Sequence, residues 1–145
     1  MTKQVLSRWC CVMFLGLAAP WAAAQDIAGL KQVVLSDARG EERIVIGSVR
    51  FESAGEGRWK FDLQLDETRF TEHFLAMRPF KCLTGLRQQL CHFPFGNERI
   101  ISRDDLAPLE YSLMFLHKKP ASVHVDSANG IYYRLAWNEK GLMGE

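Results

Sequence analysis

The chain is poor in the features that mark specialised proteins. Its 18 Lys and Arg are matched by 17 Asp and Glu, which excludes a polybasic nucleic-acid binder. It has no internal repeat, no low-complexity stretch and no collagen-like glycine period, which excludes solenoids and fibres. Its longest apolar run, Cys10 to Ala19, is ten residues, too short for a lasting membrane span. At 145 residues with 48% apolar side chains it is an ordinary globular chain with material for one core.

Motifs that carry chemistry are also missing. There is no Gly-x-Ser-x-Gly, Ser-x-x-Lys, HExxH, P-loop or GxGxxG, so the common nucleophilic, zinc-hydrolase and nucleotide-binding signatures do not apply. The four histidines, His73, His92, His117 and His124, include no i, i+4 pair. Adjacent acids such as Asp104 and Asp105 are read as helix-capping residues. No metal and no cofactor is expected.

The first 24 residues have the form of a secretory leader. Lys3 and Arg8 precede the apolar run, and Ala22 and Ala24 supply small residues for cleavage before Gln25. Cys10 and Cys11 stand at the start of the apolar run and not after it, the wrong place for lipid attachment. Processing leaves residues 25–145 as a single exported domain, with acids and bases within one charge of balance and no later membrane span. The expected address is a bacterial periplasm or the exterior.

Two cysteines remain, Cys82 and Cys91. An even, close pair in an oxidising compartment reads as a disulfide. The competing zinc reading, prompted by His92 beside Cys91, lacks the spacing and the four ligands that zinc needs.

Alternation gives the clearest structure. Trp59, Phe61, Leu63 and Leu65 alternate with Lys60, Asp62, Gln64 and Asp66, which predicts a strand with one buried face. With the turn chemistry of Ser53 to Gly57 it predicts a hairpin of about 43–52 and 58–66. A weak strand is expected at Val33 to Leu35. Another is expected over 74–82, on a sheet edge or with a bulge at Pro79, with a return strand over Leu90 to Phe93, so that the disulfide staples a hairpin.

Ser102 to Asp105 resembles a helix start, and Leu106, Leu109, Leu113 and Leu116 share one face of a helix wheel. A main helix from about 105–108 to 117 is expected, with Tyr111 and Phe115 on its other side. Val123 to Val125 and Ile131 to Trp137 predict a closing hairpin, and the tail from Glu139 is expected to be loose. The fold class is therefore α+β: a mainly antiparallel sheet built from hairpins, with one principal helix packed on a face.

The segments FLAMRPFKCL, LCHFPF, DDLAPLEYSLMFLHK and NGIYYRL are similar to small exported proteobacterial proteins of unassigned function. The resemblance spans residues 43 to 140. It implies export and a small single domain, and it transfers no activity.

One charge asymmetry stands out. Asp37 to Glu72 carries net −3, whereas Arg78 to Arg103 carries net +4. Arg78, Lys81, Arg87, Arg99 and Arg103, with His92 beside the stapled hairpin, form the candidate binding set. Such a surface suits an anionic envelope ligand or an acidic protein partner. The function expected is a small non-catalytic envelope protein that binds a partner protein or anionic ligand. One alternative is a subunit of an exported assembly, whose exposed apolar patch would draw on Tyr111, Phe115 and Tyr132. Another is a small hydrolase or transferase with a site assembled from residues such as His92, His117, Glu110 and Arg78.

Overall fold

The computed structural model describes residues 26–37, 39–40, 42–75, 79–84, 88–119, 127–139 and 141–145, with 72–75, 79 and 127 described by backbone alone. The leader and cleavage site expected before Gln25, Arg78, Arg87 and the strand expected over Val123 to Val125 lie outside these residues. In chain order the first strands are β1 (Gly29–Ser36), β2 (Arg43–Gly55), β3 (Arg58–Leu65), β4 (Glu72–Leu75), β5 (Pro79–Thr84), β6 (Gln89–His92) and β7 (Ile100–Ser102). The helix α1 (Ala107–Ser112) follows, then β8 (Phe115–Lys118), β9 (Gly130–Ile131), β10 (Leu135–Asn138) and β11 (Gly141–Gly144).

These strands form three antiparallel units with the orders β1-β2-β3-β7, β4-β5-β6-β8-β9 and β10-β11. The expectation of an α+β domain with a principal helix is therefore corrected. The described molecule is mostly antiparallel sheet, and α1 has only six residues. The helix expected to reach residue 117 ends at Leu113, whose N–H bonds to the Leu109 and Glu110 carbonyls. Beyond it the chain extends as β8, paired with β6 on one side and β9 on the other. A helix this short has little stability of its own. β6 pairs with all of Phe115 to Lys118 and β9 with Phe115 and Leu116, and Phe115 becomes fully buried (0% exposed) between the sheets. Leu106 and Leu109 stay in the helix-side core, while Leu116 lies beside the disulfide.

The β2–β3 hairpin follows its alternation. Trp59 and Phe61 are buried, while Lys60 and Asp62 face out opposite Glu52 and Arg50. Gly55 and Gly57 take positive φ at the turn, where glycine is least strained. Farther along β2 the register with β1 shifts: Val33 pairs with Gly47 but Val34 with Val45. Ile46 is the extra residue of a bulge. Before it, Ile44 and Ile46 pack toward the β4–β9 sheet; after it, Val49 and Phe51 pack toward α1 and β10–β11. One strand thus serves two cores. Gly47 is needed there, because a Cβ would come within 2.3 Å of the Gln64 carbonyl oxygen.

The stretch expected as one strand over 74–82 is two strands, β4 and β5, paired in antiparallel fashion. The disulfide joins Cys82 to Cys91, which sit directly opposite each other on β5 and β6. The Ile131 to Trp137 stretch is likewise divided. Ile131 pairs with β8, and residues from Leu135 pair with β11 in the tail. Arg134 and Glu145 exchange backbone hydrogen bonds, and Leu142 packs on the core, so described tail residues are held in a ribbon.

Candidate functional site

The described basic residues of the 78–103 stretch have separate partners. Lys81 Nζ donates to Glu67 Oε2 at 2.5 Å, and this ion pair holds the Glu67 carboxyl below its usual range. Arg99 donates to the Glu98 carbonyl and to Ser112 Oγ, and it lies over the Phe61 ring. His92 Nε2 lies 2.8 Å from the Ser112 carbonyl oxygen, and its ring packs on Phe115. Burial pushes the His92 pKa down, so the ring is neutral near pH 7. Arg103 stacks over Trp137, 5.2 Å from the ring centroid. Ser112 thus brings together His92 and Arg99, while Lys81 is held by Glu67 and Arg103 by Trp137. Arg78 and Arg87 are outside the described residues.

A different surface gathers aromatic rings. Phe95, Tyr111 and Tyr132 are 63%, 41% and 43% exposed, yet they touch one another. Ring centroids are 5.9 Å apart for Phe95 and Tyr111 and 5.6 Å for Tyr111 and Tyr132. Phe115, expected with Tyr111 and Tyr132, is instead core, because β8 turns it between the sheets. Phe95 takes its place. It belongs to a segment with no strand period, held by two bonds: Phe93 N–H to the Met114 carbonyl and Phe95 N–H to the Tyr111 carbonyl. Sequence periodicity carries no signal for it.

The anchor of this surface is Glu110. Its side chain is buried, and a buried carboxylate needs partners. The Leu135 backbone N–H donates to Oε1 at 2.7 Å, and the Tyr132 hydroxyl donates to Oε2. The carboxylate stabilises the protonated phenol, which raises the Tyr132 pKa to about 12. Tyr132 is thus a fixed donor, and its ring orientation is set by its own hydroxyl. The bond also ties α1 to the 132–135 segment.

The exposed lead-in to the helix is ordered by short-range bonds. Asp105 N–H donates to Ser102 Oγ, and Ala107 N–H donates to Asp105 Oδ1. Beside this turn lies a cleft of about 500 Å³ lined by Arg103, Asp104, Asp105, Tyr132, Arg134 and Trp137, among others. Trp137 donates its indole N–H to the Arg103 carbonyl and packs on Trp59. Tyr132 lines the cleft and also touches Tyr111, the middle ring of the aromatic group.

A second cavity, of about 190 Å³, runs beside β1 and is floored by Val49, Phe51, Leu109, Leu113 and Phe115. Among the described strands β1 pairs only with β2, so this groove adjoins an open sheet edge. Among the described residues no three metal-ligating side chains gather, and no helix is long and apolar enough to cross a membrane. No protein-family model, curated protein or solved structure matches the chain.

Proposed function

We propose that the chain is an exported, non-catalytic binding protein of the bacterial envelope, and that the aromatic face centred on Tyr132 is its binding surface. The observation that carries this reading is the exposure of three touching aromatic rings locked in place by a buried carboxylate. Exposed aromatic clusters are costly in water and are enriched at recognition sites. Rigid anchors of this kind bind with little loss of freedom. The leader-like residues 1–24 and the buried disulfide support an oxidising destination. Two of the four side chains from which a scattered hydrolase site would be built are otherwise engaged: Glu110 by Tyr132 and Leu135, and His92 by a backbone carbonyl.

A second reading is favoured by the β1 groove. An extended segment of a partner protein could add to the open edge and set apolar side chains in the groove, as in strand-addition complexes. Lys31 and the bulge moderate that edge, as they do on natural edge strands.

One experiment separates the two. A photo-cross-linking amino acid is placed at Phe95, at Lys31 or, as a control, at Glu52 on the outer sheet face, and the full chain is expressed for export. Adducts from position 95, lost when Tyr132 is changed to Ala, are expected. Adducts from position 31 alone would favour the edge. Retention of the protein with an intact Met1 inside the cell would defeat the exported reading.

A further inference from the structure

We propose that the ligand of the aromatic face is a neutral, hydroxyl-rich oligosaccharide, lying with one end in the cleft and its length along Tyr132, Tyr111 and Phe95. The inference rests on the binding role proposed above and names its substrate class.

Three observations converge on it. The first is the mixture of groups around the cleft. Arg103 and Arg134 supply only donors, and Asp104 and Asp105 supply only acceptors at neutral pH. A ligand that uses both must carry groups that donate and accept, which is the property of a hydroxyl. Vicinal hydroxyls of a pyranose fit carboxylates and guanidinium groups in this way. Asp104 and Arg134 enter no side-chain hydrogen bond or ion pair among the described residues, so both are available.

The second observation is charge. Two bases stand against Asp104, Asp105 and the Glu110 at the base of the cleft. This near balance gives no field to attract a polyanion, which excludes nucleic acid and argues against acidic polysaccharide.

The third is the row of rings. The apolar face of a pyranose, with its axial C–H groups, packs on an aromatic face. Successive rings here are 5.6 and 5.9 Å apart and inclined by 54° and 67°. They form a turning row, not a flat shelf, suited to a chain whose sugar planes rotate along its length. Tyr132 joins the two parts of the site, because its ring belongs to both the row and the cleft. A proline-rich peptide would also suit exposed aromatics. Its backbone, however, presents chiefly carbonyl acceptors, for which Asp104 and Asp105 have no use.

The test uses the mature full-length domain. Tryptophan fluorescence and two-dimensional NMR are followed during titration with the tetrasaccharides of β-1,4-linked N-acetylglucosamine, of cellulose and of starch. Polygalacturonate and a decaproline peptide are titrated in parallel. Saturable binding of at least one neutral tetrasaccharide is expected at millimolar concentration or below, with shifts confined to residues 95, 103–105, 111 and 132–137. Phe95→Ala changes an exposed ring and leaves the fold intact; it should weaken binding several-fold. Tyr132→Ala should weaken it roughly tenfold or more, and Tyr132→Phe, which keeps the ring, should retain most of it. Lys81→Ala should bind as wild type.

Failure of all three tetrasaccharides overturns the inference. So does tighter binding of polygalacturonate or decaproline, or binding that survives both Phe95→Ala and Tyr132→Ala. If cross-linking from position 95 still yields a Tyr132-dependent adduct, the binding role stands and only the ligand class falls. If position 95 yields no adduct and no tetrasaccharide binds, both fall.

Discussion

The two halves of the molecule are held by different means. On the β1-β2-β3-β7 side, strands reach 13 residues and the core is a continuous set of large side chains: Phe51, Trp59, Phe61, Ile101 and Leu109. On the β4–β9 side the strands are two to six residues long. Phe80, Leu116 and Phe93 there are gathered around the Cys82–Cys91 bond. Short strands bury little each and bring few ladder bonds, so a covalent link does part of the work that strand length does elsewhere. The aromatic face proposed for binding belongs to neither of these sheets. Its rings lie on connecting pieces (the helix, the 93–99 segment and residues 132–134), where side chains are free to face water because the sheets already supply the stability.

The contrast is tested most strongly by Phe61→Ala. Phe61 is almost wholly buried in the larger core, and its truncation should cost about 3–5 kcal/mol in urea unfolding. The matched test on the other half is Cys82→Ala with Cys91→Ala. The closed loop of about ten residues predicts a loss of about 2.7 kcal/mol, and reduction of the native protein should give a comparable loss. If reduction has no effect on stability, the view that the short-strand half depends on its staple is wrong.

Between the halves stands Glu110. Glu110→Ala leaves the Leu135 N–H without its acceptor and should cost about 1–3 kcal/mol. In Glu110→Gln the Tyr132 pKa should fall from about 12 toward the ordinary 10.0, read by ultraviolet titration. The sign follows from the raised value. The folded state keeps a proton that the unfolded state loses first. The stability from this bond is complete below pH 10 and disappears as pH rises through about 12.

The acid limb reports the other side. His92 is held below its ordinary 6.5 by burial, so the unfolded chain takes up this proton first. Stability is unaffected by His92 well above pH 6.5 and falls as pH drops from there through the folded value. The lowered carboxyl values of Asp26, Asp66 and Glu67 add a further fall at lower pH. His92→Phe should remove the first part of the decline and leave the second. The smallest effect belongs to Lys81→Ala, whose ion pair with Glu67 is solvent-exposed; no measurable shift in Tm is expected.

The β2–β3 hairpin and the disulfide were legible because each rests on a local rule: period-two alternation, and an isolated pair of cysteines. The exposure of Tyr132, Arg134 and Ala136 against the half-buried Ile131, Tyr133, Leu135 and Trp137 follows the same alternation. The long helix failed because Leu113 and Leu116 fit a helical stripe equally well as an isolated segment. Pairing of residues 115–118 with β6 and β9 decided otherwise, and those partners lie far away in sequence. The aromatic face was only partly visible. Tyr111 and Tyr132 could be suspected from the wheel and the alternation, but Phe95 sits in irregular chain. Glu110 looked like any helical acid until its partners across the fold were known.

The bulge at Ile46 gives strand β2 one residue more than its partner β1 matches. Deleting that single codon would leave Gly47 opposite Val33, Val45 opposite Val34 and Ile44 opposite Leu35, the pairs they already make. The ladder would close into plain alternation, and the loss would be the wholly buried Ile46 side chain from the core between the sheets, together with its carbonyl, which accepts from the Asp66 N–H. The extra codon thus adds a core side chain without turning its neighbours to the other face.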